Sequence, residues 1–234
     1  MLDVSNVNLL YGEFQALHDI SLRVDDRELV VVFGPNGHGK STLLKAICGL
    51  QPVASGSIIF DGKDITNFKA IDLVEMGLVY IAEDRHLFPT MSVLENLKLG
   101  AYNTKARDKE QENLEYVLQL FPRLKERLKK QAQTLSGGEA RMLAIGRGLM
   151  SNARLLAVDE PSLGLAPKLR VEVFEKISEI NQSGITVLMV EQNVLQASDY
   201  AAKIYLVEDG RIVFEGSKNE ALNQKHVKEV FLGI

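Results

Sequence analysis

The stretch Leu29–Leu44, LVVVFGPNGHGKSTLL, decides the fold. Leu29–Phe33 is continuously apolar and rich in β-branched residues, which is how a buried parallel strand reads. Ser41–Cys48 reads as a helix, with Leu43, Leu44 and Ile47 on one face and Gly49 as its stop. Between them, Gly34, Gly39, Lys40 and Ser41 satisfy G-x-x-x-x-G-K-[ST]. Glycines let the backbone curl so that successive N–H groups point inward at an anion. The helix that follows aims its positive end at the same place. Lys40 can reach the outer phosphates of a nucleotide, and the Ser41 hydroxyl suits Mg²⁺, which prefers oxygen. Gly34, Pro35, Asn36, Gly37, His38, Gly39, Lys40, Ser41 and Thr42 therefore form a candidate nucleotide cradle. A glycine-rich turn that binds nothing is the competing reading. It does not account for the strand before and the helix after.

The rest of the composition sets bounds. A chain of 234 residues with 46% hydrophobic and 25% charged residues fits one large α/β domain or two small lobes. A net charge of −4 lacks the electrostatic footprint of a nucleic-acid binder. The single cysteine, Cys48, excludes an internal disulfide and suits a reducing compartment. MLDVSNVNLLYGE does not have the basic-then-apolar order of a signal peptide. No run approaches the ~18 apolar residues of a membrane span, so a membrane role has to come through a partner.

Along the chain, the first 28 residues read as β structure, with partial apolar–polar alternation. SIIFDGKDI reads as a strand, an Asp-Gly turn and a strand start. From about Thr90 to Met150 the period becomes helical and Glu, Lys and Leu dominate, which predicts a helical lobe inserted in a sheet domain. Strand-like runs follow at Leu155–Val158, Ile185–Val190 and Ile204–Val207, with Lys168–Ile180 as a helix among them. That alternation implies a parallel sheet. IYLVEDGRIVFEG reads as a hairpin around Asp209-Gly210, and HVKEVFLGI as a short amphipathic helix packed on the body.

LLAVDEP places Asp159 and Glu160 at the C-terminal end of a buried strand, the edge where ligands collect in an open α/β sheet. Asp159 can hold Mg²⁺ through water, and Glu160 can orient and polarise an attacking water. LSGGE, Leu135–Glu139, puts Ser136, Gly137 and Gly138 at a second helix start able to take an anion. Taken by itself, SGG fits a plain helix cap as well.

GPNGHGKST, LSGGE and LLAVDEP, in that order, resemble the ATP-binding subunits of ABC transporters over essentially the whole chain. The resemblance implies an α/β P-loop NTPase with a RecA-like parallel sheet core, an N-terminal antiparallel β region and an inserted helical subdomain. The core lobe would comprise residues 1–89 and 151–234, and the helical subdomain about 90–150. It also implies that Leu135, Ser136, Gly137, Gly138 and Glu139 of one subunit close over the γ-phosphate held by another, with two ATPs sandwiched in a dimer. Tyr11 matches the aromatic that stacks on adenine; a strand tyrosine packed in the sheet is the alternative.

Some positions depart from the general family. Glu83 stands where a Mg²⁺-touching glutamine is usual, and a carboxylate can still ligate Mg²⁺. Gln192 replaces the switch histidine; it can donate to a γ-phosphate oxygen but cannot carry a proton charge. Ala166 stands where aspartate is usual. Together with EDRHLFP, DEPSLGLAP, VEQN and VKEVFLG, these departures resemble the shorter of the two ATPases in importers of branched-chain amino acids. Within that branch His38 and Arg141 depart, from a small residue and a glutamine respectively. The His38 side chain is expected to point away from the cradle, which binds through backbone.

The resemblance implies hydrolysis of ATP with Mg²⁺, Lys40, Glu83, Glu160 and Gln192 serving the chemistry and Ser41, Asp159 and Glu83 the metal. It implies a homodimer or a pairing with a sister ATPase, two transmembrane permease subunits, and indirectly a solute-binding protein. It places the subunit on the cytoplasmic side of a prokaryotic cell membrane, without nucleic acid. Urea or amide import and lipopolysaccharide export are neighbouring alternatives, and a soluble ABC ATPase a more distant one. Arg123–Lys130 reads as a solvated helix face, Cys48 as core, and His18, His86 and His226 lack the spacing of zinc ligands.

Overall fold

The structure of the chain, a computed structural model, describes residues 1–192 and 194–232. Its strands are β1 (Leu2–Tyr11), β2 (Phe14–Val24), β3 (Leu29–Phe33), β4 (Ser55–Phe60), β5 (Lys63–Asp64), β6 (Leu78–Ile81), β7 (Leu155–Asp159), β8 (Thr186–Glu191), β9 (Lys203–Glu208) and β10 (Arg211–Gly216). They form an antiparallel sheet in the order β2-β1-β4-β5 and a larger sheet in the order β10-β9-β3-β8-β7-β6. All neighbours in the larger sheet are parallel except the edge strand β10, which folds back from β9 through the turn at Asp209-Gly210. The fold is therefore the P-loop α/β architecture, with the antiparallel region built from the N-terminal part of the chain.

The unbroken apolar runs have a direct cause. Side chains alternate across a strand, and here both faces of the larger sheet are covered. Leu29, Val31 and Phe33 enter one hydrophobic cluster with the helices between Val93 and Leu149, while Val30 and Val32 enter another with the antiparallel sheet. β7 divides in the same way, Leu156 and Val158 against Leu155 and Ala157. A strand buried on both sides has no polar alternation to show. Cys48 lies buried in the second cluster, and burial pushes its thiol pKa up.

The first core helix spans Lys40–Ile47, with Gly39 in left-handed conformation at its N-cap. The α-helices between β6 and β7 are Val93–Gly100, Thr104–Arg107, Glu110–Leu120, Pro122–Arg127 and Gly137–Leu149. The Val93–Gly100 and Gly137–Leu149 helices cross so closely that a Cβ on Gly100 would lie 2.0 Å from the Arg147 carbonyl oxygen. The helix Pro167–Gln182 connects β7 to β8. The terminal helix spans Lys225–Leu232, with Gly233 and Ile234 outside the described residues.

Register then positions the site. Phe33 pairs with Glu191, and Asp159 with Val190, so β3, β8 and β7 end side by side. Three loops leave that one edge: the cradle after β3, Glu160 after β7 and Gln192 after β8.

Candidate functional site

The cradle is built on unusual backbone. Gly34, Gly37 and Gly39 take φ of +150°, +81° and +101°. Gly34 also has no room, because a Cβ there would lie 2.0 Å from the Val207 carbonyl oxygen of β9. Gly34→Ala should therefore cost about 3 kcal/mol of stability or more, from steric overlap and backbone strain together. Denaturant unfolding checks this, and an unchanged midpoint would show that the loop and β9 separate freely.

Lys40 is buried, 4% exposed, and its Nζ donates to the carbonyl oxygens of Gly34 and Pro35 at 2.9 and 3.0 Å. The same Nζ lies 3.8 Å from Glu160 Oε1. Burial pushes the Lys40 pKa down, against the pull of Glu160, Asp159 and Glu191. The ammonium is thus held over the cradle by carbonyls that a phosphate can replace.

Ser41 opens the helix, and its Oγ donates to Asp159 Oδ1 at 2.9 Å. Tyr80 Oη donates to the other carboxylate oxygen at 2.7 Å. Asp159 is 1% exposed, so neither oxygen is left to wander in solvent. Glu160 takes the left-handed region, φ +43°, and its N–H donates to Val190 O at 3.0 Å. Gln192 Nε2 donates to Glu160 Oε2 at 2.8 Å. Burial raises the Glu160 pKa, partly offset by this bond and by Lys40. The loop beyond is pinned by the Glu191 carboxylate, which accepts from Ser162 N at 2.8 Å and Ser162 Oγ at 2.9 Å.

Asn36, Lys40, Thr42, Glu83, Glu160 and Gln192 line one cavity of about 460 Å³. Glu83 also lines an adjoining cavity with Asp159. The donors available there, Ser41 Oγ, the Asp159 carboxylate and the Glu83 carboxylate, are all oxygen. That set fits Mg²⁺, which keeps waters and shares its remaining positions with phosphates.

The structure thus brings together the cradle, Asp159, Glu160, Glu83 and Gln192. His38 turns outward, its Nδ1 accepting from the Asp209 N–H at 2.9 Å, as its place in a backbone-binding loop predicts. Tyr11 is 42% exposed at the end of β1 and faces its cross-strand partner Phe14, 68% exposed, on a hairpin whose Ala16–Leu17 backs Gly39. It is not packed in the sheet. The Leu135–Glu139 loop lies elsewhere. Ser136 and Gly137 are exposed at the N-terminus of the Gly137–Leu149 helix, and Ser136 forms a capping box with Glu139 at 2.8 and 3.3 Å. None of these residues lines the cradle cavity. The cap reading of SGG holds within the chain. Tyr80 carries no motif of its own, and Ser162 stands inside DEPSLGLAP without a role that the pattern assigns to it.

Comparison with known proteins defines the class. The family described as ABC transporter matches residues 17–163. The high-affinity branched-chain amino acid transport ATP-binding protein BraG of Pseudomonas aeruginosa is 43% identical over 233 residues, covering 100% of both chains. A nucleotide-free ATP-binding cassette from an ABC transporter superposes with a TM-score of 0.88 at 29% identity, covering 100% of this chain and 99% of that one. A dimeric cassette in a post-hydrolysis state, bound to ADP and phosphate, gives a TM-score of 0.77 at 26% identity, covering 93% and 98%. The chain belongs to the ABC transporter family and is one of its ATPase cassettes.

Proposed function

We propose that the chain binds ATP and Mg²⁺ in the cradle, hydrolyses ATP within a dimer, and powers import of branched-chain amino acids through transmembrane partners. The observation that carries this is the arrangement of Ser41–Asp159, Lys40 and Glu160–Gln192 on one sheet edge around one cavity. The likeness to BraG over its full length supports the solute class.

In this reading the phosphates take the place that the Gly34 and Pro35 carbonyls now hold against Lys40. Ser41 and Asp159 would hold Mg²⁺, with Glu83 beside them, and the bound ion would supply positive charge against the phosphates. Glu160 aligns water for in-line attack, and Gln192 orients that carboxylate and offers a donor to the γ-phosphate. Tyr11 stacks on adenine. Leu135–Glu139 of one subunit caps the nucleotide of the other, which agrees with its absence from the lining of its own cradle cavity. The sandwich pairs this chain with itself or with a sister ATPase.

Residues about 90–150 act as the lobe that passes motion to two permease subunits at the cytoplasmic face of a prokaryotic membrane, served by a solute-binding protein. An apolar groove of about 410 Å³, lined by Val74, Phe88, Leu99 and Tyr102 beside the Glu83 loop, supports docking there. No helix among the described residues is long and apolar enough to cross a membrane. The test is reconstitution with the transmembrane subunits of a branched-chain amino acid importer. ATP-dependent uptake of leucine, isoleucine and valine into proteoliposomes is expected. Uptake of urea instead would overturn the solute class, and absence of ATP hydrolysis would overturn the whole reading.

A further inference from the structure

Arg141 is among the largest fully buried side chains of the described residues, 1% exposed. Among the described residues its guanidinium donates to main-chain carbonyls. Nη1 donates to Ala82 O and Nη2 to Glu160 O, both at 3.2 Å, and Nε has no hydrogen-bond partner among the described residues. Burial and the like charge of Arg85 push its pKa down to about 10, against the pull of Glu191, Glu83 and Asp159. For holding a fold together this is a poor arrangement. A buried cation with incomplete partners is outdone by an apolar side chain of similar volume, and a buried donor left unmade is costly.

The two acceptors explain the arrangement. Ala82 immediately precedes Glu83, and Glu160 is the residue proposed to align water. The loops that carry them leave neighbouring strands, since Ile81 of β6 pairs with Val158 of β7. Glu160 holds the left-handed backbone region, which a non-glycine residue keeps only when its surroundings impose it. Its N–H is fixed by Val190 O and its carbonyl by Arg141. Arg141 itself stands just over one turn into the Gly137–Leu149 helix, whose first turn follows Ser136.

We propose that Arg141 is a positioning residue that ties the Gly137–Leu149 helix, which begins within LSGGE, to the Glu160 and Glu83 loops of the same subunit, so that the placement of that helix sets the reach of the Glu160 carboxylate. The proposal rests on the functional reading above. Under that reading the helix serves one ATP at its N-terminus and steers the chemistry of another through Arg141. The glutamine that the resemblance leads one to expect at this position is shorter and cannot span both carbonyls with a two-pronged planar group.

Steady-state hydrolysis by Arg141→Met, Arg141→Gln and Arg141→Lys, with a fluorescent ATP analogue as the binding probe, tests it. Misplacement of a reacting group by about 1 Å costs on the order of a hundredfold. In Arg141→Met kcat should therefore fall by about tenfold to a hundredfold, while KM for ATP and affinity for the analogue move by less than about threefold. Arg141→Lys, which keeps charge and donors, should recover part of the loss. Should Arg141→Met fail to fold, Arg141→Gln carries the same comparison. An unchanged kcat, a loss of affinity as large as the loss of kcat, or a lysine variant no better than methionine would each overturn the proposal. Glu160→Gln run alongside separates the two levels: if it turns over normally the functional reading fails, and if it is inactive while Arg141→Met is normal only this inference fails.

Discussion

Glu160→Gln keeps ATP binding while turnover falls by about 10²–10³-fold, the scale set by losing one preorganised group in a reaction centre. The substitution preserves shape and the oxygen that accepts from Gln192 Nε2 at 2.8 Å, so the loop that carries the side chain stays where it is. What it removes is the anion beside the cavity. That anion lies 3.8 Å from Lys40 and has its pKa raised by burial, which strengthens it as a hydrogen-bond acceptor for water when deprotonated. The affinity for nucleotide should hold or rise, because an incoming triphosphate meets one fewer like charge. The variant should accumulate as an ATP-loaded dimer. Phosphate release, equilibrium binding of a fluorescent ATP analogue and size exclusion with ATP check the three parts. Wild-type phosphate release in Glu160→Gln would remove Glu160 from its role.

Much of this site was legible in the residues because the fold makes it from short contiguous runs. Leu29–Phe33 and Leu155–Val158 are apolar throughout since both faces of the sheet are covered, and each ends in the residues that act. The expected helix Ser41–Cys48 is found at Lys40–Ile47, and the expected strand Ile185–Val190 at Thr186–Glu191, shifts of one residue. The helix Ala70–Glu75 and β6 gave no comparable signal. LVYI is too short to display a period, and its Tyr80 spends its polar end on Asp159 rather than on solvent. The edge strand β10 was readable as a hairpin partner but not as the antiparallel margin of a parallel sheet, because an Asp-Gly turn says nothing of what lies beyond β9. Arg141 was visible only as an unexpected letter. Its acceptors, Ala82 O and Glu160 O, are main-chain atoms remote in sequence, and no side-chain pattern encodes them.

Lys40→Met should weaken nucleotide binding strongly without unfolding the protein. Lys40 is a cation that is 4% exposed, with burial pushing its pKa down. Its bonds to Gly34 O and Pro35 O therefore work against a desolvation cost. Exchanging it for an unbranched apolar chain removes cost and gain together, so the melting temperature of the nucleotide-free chain should change little. With ATP the balance differs. The phosphates then face Asp159 and Glu160 without the opposing ammonium, and lose a charge-assisted hydrogen bond of about 1.5–3 kcal/mol. Affinity should fall by roughly tenfold to a hundredfold from that bond alone, and turnover further, since Lys40 also meets charge that grows toward the transition state. The two states separate in one experiment. Ligand-induced stabilisation scales with the logarithm of ligand over Kd, so at an ATP concentration a few times the wild-type Kd the thermal shift seen in wild type should largely vanish in Lys40→Met while the nucleotide-free midpoints coincide. A full thermal shift in the variant would mean that phosphate is held by the backbone of Gly37–Thr42 alone, and a large fall in the nucleotide-free midpoint would mean that Lys40 is a structural member of the loop rather than a phosphate ligand.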